Sequence, residues 1–189
     1  MASCEAQKEV RVPSRTVLTS SDIDRAVTRI SHEILESNQG SQDLVILGIP
    51  TRGAVLAKRI VETIAKFEAI DTNAVLGTLD ITMHRDDLDS KPTRSPAQTV
   101  IPSGGLDGKV VVLVDDVLFS GRTIRAALDA LGDYGRPSAV RLAVLIDRGH
   151  RELPIRADFV GKNLPTSRDE RIRVLLTESD TENEVVIEA

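Results

Sequence analysis

The sequence predicts an α/β domain built on a mainly parallel sheet, and three observations carry that prediction. Runs at 44–49, 109–114 and 139–146 are rich in apolar, β-branched residues, and 44–49 is continuously apolar, as strands buried on both faces are. Segments with helical periodicity separate them, so strand and helix alternate along the chain. Each run then gives way to polar residues, Pro50-Thr51-Arg52-Gly53, Asp115-Asp116 and Asp147-Arg148-Gly149-His150. Those positions are the carboxyl ends of the strands, where sheets of this kind bind ligands.

Residues 15–19 read as a short lead-in strand. Ser20 or Ser21 then caps a helix, with Asp24 as the acidic partner of a capping box, and Ile23, Val27, Ile30 and Ile34 form one apolar stripe. Asn38-Gln39-Gly40 stops that helix. The run 44–49 is a buried strand ended by Pro50, and 51–67 returns to helical spacing through Val55, Leu56, Ile60 and Ile64. A further strand is expected at 74–83. The polar stretch 84–98, with Pro92 and Pro96, is a long loop, and loops of that length inside domains are functional or disordered. The segment 109–114 is the central strand, 122–131 a helix and 139–146 another strand.

At 189 residues the chain is long enough for one domain with a full core. Hydrophobic residues at 41% and charged residues at 28% suit a soluble globular protein. No apolar stretch approaches the ~20 residues of a membrane span, so no membrane partner is expected. The opening MASCEAQKEVRVPSR has no apolar h-region and reads as a flexible leader over 1–14. The only cysteine, Cys4, lies in that leader; no internal disulfide is possible, and a reducing, cytoplasmic location is expected. A net charge of -5 argues against indiscriminate binding to nucleic acid. The charge is unevenly placed, however. Residues 177–189 form an acidic tail with Glu178, Asp180, Glu182, Glu184 and Glu188, whereas Arg148, Arg151, Arg156, Lys162, Arg168, Arg171 and Arg173 cluster upstream.

The stretch VVVLVDDVLFSGRT at 110–123 is the most informative. Asp115 and Asp116 can accept from both hydroxyls of a ribose. Gly121 allows close backbone approach, Ser120 and Thr123 add hydroxyl donors, and the helix that follows offers free N–H groups to a phosphate. An Asp-Asp pair alone would be read as a turn and a helix cap; the adjoining Ser120-Gly121-Arg122-Thr123 favours a site for a phosphorylated sugar. No Walker A loop and no Gly-x-Gly-x-x-Gly fingerprint occurs. His84 beside Arg85-Asp86-Asp87 matches no standard metal spacing.

VVLVDDVLFSGRT resembles the phosphoribosyl-pyrophosphate (PRPP) motif of type I phosphoribosyltransferases. AVTRISHEILESN, GIPTRGAVLAKRI, DITMHRDDL and above all LIDRGHRELPIRADFVGKNLPTS narrow the resemblance to the PyrR family, RNA-binding pyrimidine-operon regulators that are also uracil phosphoribosyltransferases. The resemblance spans 15–176 and implies a single domain of type I phosphoribosyltransferase fold, a twisted sheet flanked by helices with a small hood contributed mainly by 148–176. It implies that Asp115 and Asp116 bind the ribose hydroxyls and that Val117, Leu118, Phe119, Ser120, Gly121, Arg122 and Thr123 wrap the 5-phosphate. Thr51, Arg52 and Gly53 match the pyrophosphate loop, and Arg85 with the loop after it would close over PRPP. The stretch 155–163, with Ile155 and Val160, would receive the base. Magnesium is expected as the cofactor, held mainly through PRPP with no direct protein ligand. The implied reaction is uracil plus PRPP giving uridine monophosphate (UMP) and pyrophosphate, with Arg52, Arg85, Asp115 and Asp116 as its catalytic residues.

Purine-using relatives typically carry an acid at the position of Phe119, so the hypoxanthine or guanine reading loses its key residue. Pro50 stands where relatives often carry Lys, which removes a charge beside the pyrophosphate loop. Thr28 and His32, four apart on the first helix with Arg25 beside them, match family residues that contact messenger RNA, as do His150, Arg151, Arg156 and Lys162. The expected partners are PRPP, uracil, UMP or uridine triphosphate, pyrimidine leader mRNA and further copies of the chain in a homodimer or larger homo-oligomer. The alternatives are a nucleotide-sensing RNA regulator with negligible catalysis and a purine-salvage enzyme of the same fold.

Overall fold

The apolar runs form the centre of a parallel sheet in the computed structural model, which describes residues 14–86 and 97–188. Along the chain the elements are β1 Ser14–Leu18, α1 Ser20–Asn38, β2 Leu44–Gly48, α2 Arg52–Ile64, the one-turn helix α3 Thr72–Val75, and β3 Leu76–Thr78. They continue with β4 Val110–Leu118, α4 Arg122–Leu131, β5 Ala139–Asp147, β6 Phe159–Asn163, β7 Arg171–Leu175 and β8 Glu184–Glu188. The main sheet has five strands in the order β3-β2-β4-β5-β6, every neighbouring pair parallel. A smaller antiparallel sheet has the order β1-β8-β7.

Successive residues of a strand face opposite sides, and β4 shows what that does to an all-apolar run. Val112 and Val114 enter the core beneath α1 and α2, whereas Val111 and Leu113 enter the core beneath α4. Both faces of the sheet are thereby covered, as a parallel sheet requires. The small sheet adds Leu18, Val174 and Val185 to the core on the α1–α2 side, joined by Leu176 just after β7.

Several elements differ from the sequence reading. The capping box of α1 is made by Thr19 and Asp22, not by Ser20 or Ser21 with Asp24, because chain entry leaves Thr19 extended (φ -83°, ψ 170°). The segment 51–67 keeps helix only to Ile64. The strand read at 74–83 shortens to β3, since Asp71 caps a helical turn before it and its pairing with β2 runs from Ile46↔Leu76 and ends at Gly48↔Thr78. β4 is longer than 109–114 and contains both acids. The stretch read as an acidic tail carries β8, whose Val185, Val186 and Ile187 are buried. Of the leader, Ser14 opens β1, and 1–13 lie outside the described residues, as do 87–96 of the loop read at 84–98.

Candidate phosphoribosyl site

The acid pair sits where β4 outlasts its neighbour. β2 stops at Gly48 opposite Val114, while β4 continues beside β5 from Asp115↔Val144 to Leu118↔Asp147. Asp115 is 7% exposed. Burial, and then the adjacent Asp116 carboxylate, pushes its carboxyl well above the usual 3.8, against a smaller pull from Arg85. Burial also raises Asp116, opposed by its hydrogen bonding with Asp115 and Val117 and by the charge of Arg52. The Asp116 N–H donates to Asp115 Oδ1 and the Val117 N–H to Asp116 Oδ1, both at 2.9 Å.

Two helix N-termini flank this pair. A β-carbon on Gly53 would lie 2.4 Å from the Val114 carbonyl oxygen and 3.1 Å from Asp115 Cα, so glycine is what lets α2 start against the acids. The Pro50–Thr51 peptide before it is cis. Gly121, at φ 94°, turns the chain into α4 through the left-handed region. Unlike α1, neither α2 nor α4 has a side-chain cap, which leaves first-turn N–H groups and positive helix ends at the acids. Ser120 Oγ accepts only a long 3.4 Å bond from the Arg122 N–H. Arg52 is engaged by Asp180, through Nε at 3.2 Å and Nη2 at 2.9 Å.

The segment after β5 folds over this turn. The N–H groups of Glu152 and Leu153 both donate to the Ser120 carbonyl, at 3.0 and 3.1 Å, and Ile155 lies over Gly121. Arg122 reaches Glu152 on one side and Asp86 on the other, at 2.9 and 2.7 Å. Val160 lies in β6, level with Asp115 through Val144, in the core under α4. Arg148, 8% exposed, stacks 4.1 Å above the Phe119 ring and donates to Thr166 Oγ1 and to the carbonyls of Ser167 and Glu170. Arg148 and Asp180 are residues the sequence reading did not assign, because neither has its partner nearby in the chain.

The residues matched to RNA contact fall into two groups. Thr28 and His32 are exposed on α1, His32 stacked on Phe67 at 4.2 Å. Lys162 is exposed and close enough to help lower the Asp22 carboxyl in the first turn of α1, after the larger effect of Thr19. Arg156 is exposed as well. Arg151 differs: its guanidinium turns inward onto the carbonyls of Ile155, Phe119 and Gly149 and the Asp147 carboxylate, bracing the segment after β5. His150 Nε2 meets the Thr166 carbonyl. His84 pairs with Asp133 at 3.3 Å.

The phosphoribosyl transferase domain family matches residues 15–172. A bifunctional protein PyrR of Leifsonia xyli subsp. xyli is 66% identical over 178 residues, covering 93% of this chain and 97% of the relative. The chain belongs to the PyrR family of phosphoribosyl transferase proteins. The PyrR of Streptomyces coelicolor is 58% identical over 98% of this chain and 95% of its own. Among solved structures, a hypoxanthine-guanine phosphoribosyltransferase of Bacillus anthracis superposes with a TM-score of 0.70 at 16% identity, covering 95% of this chain and 99% of that one. The hypoxanthine phosphoribosyltransferase of Trypanosoma cruzi in complex with its product IMP gives 0.68 at 14% identity, over 97% and 98%. At such identities these two establish the common fold. No helix among the described residues is long and apolar enough to cross a membrane.

Proposed function

We propose that this PyrR-family chain transfers the phosphoribosyl group of PRPP to uracil, giving UMP and pyrophosphate. We further propose that uridine nucleotides in that pocket govern binding of pyrimidine leader RNA on a separate surface. The observation that carries the reading is an acid pair, Asp115 buried and Asp116 half-buried, set between two uncapped helix N-termini. Acids take hydroxyls and N–H groups take phosphate, and PRPP brings ribose hydroxyls with a phosphate at each end.

In this reading Asp115 and Asp116 accept from the ribose hydroxyls, and the turn Val117 to Thr123 surrounds the 5-phosphate. Thr51, Arg52 and Gly53 bind the pyrophosphate, with Arg85 facing it from the Asp115 side. Departure of pyrophosphate leaves positive charge at the ribose C1, and the two acids beside the ring favour it. Arg52 and the α2 amides stabilise the negative charge on the leaving group. The hood, with Ile155 over the turn, receives uracil and excludes water that would hydrolyse the sugar, while Val160, in the core under α4, supports it from the sheet. Magnesium, when bound, neutralises pyrophosphate charge. Among the described residues no three His, Cys, Asp or Glu side chains gather as a cation cage. The pair Asp115–Asp116 fits an ion that arrives on the oxygens of PRPP.

Phe119 argues against a purine substrate: its ring is capped by Arg148 and cannot accept a proton from a purine. For RNA, exposed Thr28, His32, Arg156 and Lys162 form the surface, and a homodimer or larger assembly in the cytoplasm belongs to the same reading. The test is a radiolabelled-uracil assay with PRPP and magnesium, run beside hypoxanthine and guanine. UMP formation with uracil alone is the expected result; no UMP, or product from purines, contradicts it. Gel shifts on a pyrimidine leader transcript should tighten with UMP, and no shift with or without nucleotide ends the RNA claim.

A further inference from the structure

Arg52 is the first residue of α2, where a long side chain carries its charge at the positive end of the helix. Nothing local should hold it there, yet it is held. Asp180, 128 positions away, accepts Nε at 3.2 Å and Nη2 at 2.9 Å in a side-on fork, with both side chains mostly buried. The fork uses two of the five guanidinium N–H groups, so the Nη1 donors and the second Nη2 hydrogen stay unspent by this pair.

The carboxylate is itself fixed. The Leu176 N–H donates to Asp180 Oδ2 at 3.0 Å, and the Asp180 N–H returns to the Leu176 carbonyl at 2.7 Å. Two turns further along α2, Arg59 binds Glu178 and Asn183 from the same connection, and Asn183 reaches Ser20 at 2.7 Å. The connection joins β7 to β8, whose Val174 and Val185 lie in the core with Leu176. Arg52 is also close enough to Asp116 for its charge to favour the ionised carboxyl there. A hairpin anchored in the core by Val174, Leu176 and Val185 thus presents one carboxylate to one arginine near the acid pair.

We propose that Asp180 is a positioning residue for phosphoribosyl transfer, holding the Nε–Nη2 edge of Arg52 so that its Nη1–Nη2 edge faces the pyrophosphate. This rests on the reading of Arg52 as a pyrophosphate ligand. An arginine already locked by a rigid partner loses less freedom when substrate arrives and is better aligned on the departing charge. Hydrogen bonding from Leu176, with the charge of Arg52, keeps the Asp180 carboxyl below its usual range, so the fork is charged at neutral pH.

The experiment is steady-state kinetics on the full-length protein with Asp180→Asn, Arg52→Ala and the double variant, each with a melting curve. Asp180→Asn should raise KM for PRPP about tenfold while KM for uracil stays put, since a hydrogen bond to a charged group is worth about that factor. In the Arg52→Ala background the same change should have no further effect, because the two act as one unit. A KM for PRPP that is unchanged or lower in Asp180→Asn overturns the proposal, the lower value marking a competitor for Arg52. An equal effect with and without Arg52 also overturns it, by marking a merely structural part. If Asp180→Asn melts early, Glu178→Gln is the control, as it loosens the same connection through Arg59. An equal rise in KM for PRPP from Glu178→Gln then contradicts positioning. Wild-type protein that makes no UMP sinks the functional reading and this one together; active wild type with an indifferent Asp180→Asn sinks only this one.

Discussion

Asp115 is costly to the fold and therefore informative about function. Its carboxyl binds a proton more tightly folded than unfolded, so ionising it opposes folding; that cost is absent below about pH 3.8 and grows as pH rises above it. Asp115→Asn should accordingly raise the melting temperature at pH 7 by roughly 2–4 °C per kcal/mol relieved, with the gain shrinking toward pH 4. Thermal melts across that range check it, and a gain that does not depend on pH contradicts it. The same variant should lose PRPP turnover, the familiar exchange of stability for function. Arg148 behaves oppositely. Arg148→Ala leaves the Thr166, Ser167 and Glu170 acceptors and the Phe119 ring without their partner, at about 1–3 kcal/mol for each acceptor left buried. Arg148→Lys, with no planar fork, should restore little of that loss in a denaturant titration. The acids and the Ser120-Gly121 turn are legible in the sequence because the site there is contiguous. Arg148 and Asp180 are not, because each looks like one more charge in a charged stretch until the fold supplies its partner.

At the level of elements, the three central strands and the helices α1, α2 and α4 are legible because each keeps one hydrophobic period over its length. What escapes is short or masked by charge. β8 reads Glu-Val-Val-Ile-Glu inside an acidic stretch, and its apolar centre becomes interpretable only when β1 and β7 pair on either side of it. β6 lies in a stretch read as hood, and β3 is too brief to outlast its flanking turns. The buried state of Val185, Val186 and Ile187 makes a specific claim about the C-terminus. Truncation after Thr177 removes three side chains whose burial contributes about 1.5–3 kcal/mol each, against a typical total stability of about 5–15. The shortened chain should lose its cooperative thermal transition in far-ultraviolet circular dichroism. A truncated chain that melts like the full one would mean that the segment is a solvated tail after all.

For the whole molecule, two functions on one acidic domain require two surfaces. The site gathers at the carboxyl ends of β2 and β4, whereas Thr28 and His32 lie on the outward face of α1. Thr28→Ala with His32→Ala should weaken binding of leader RNA in gel shifts about tenfold, as lost polar contacts do, while UMP formation is unaltered. Arg151→Ala should damage both, because that guanidinium ties the segment after β5 to Phe119 through the Ile155 and Phe119 carbonyls. With a net charge of -5 and few basic contacts, RNA affinity should fall only shallowly with salt, since the slope scales with the number of phosphates neutralised. All of this depends on the acid pair and the two helix N-termini gripping an activated pentose. Isothermal titration calorimetry with PRPP and magnesium tests that grip most directly. One binding site per chain in the wild type, abolished in Asp115→Asn with Asp116→Asn, is the expected result; no heat from the wild type, or undiminished binding by the double variant, would contradict it.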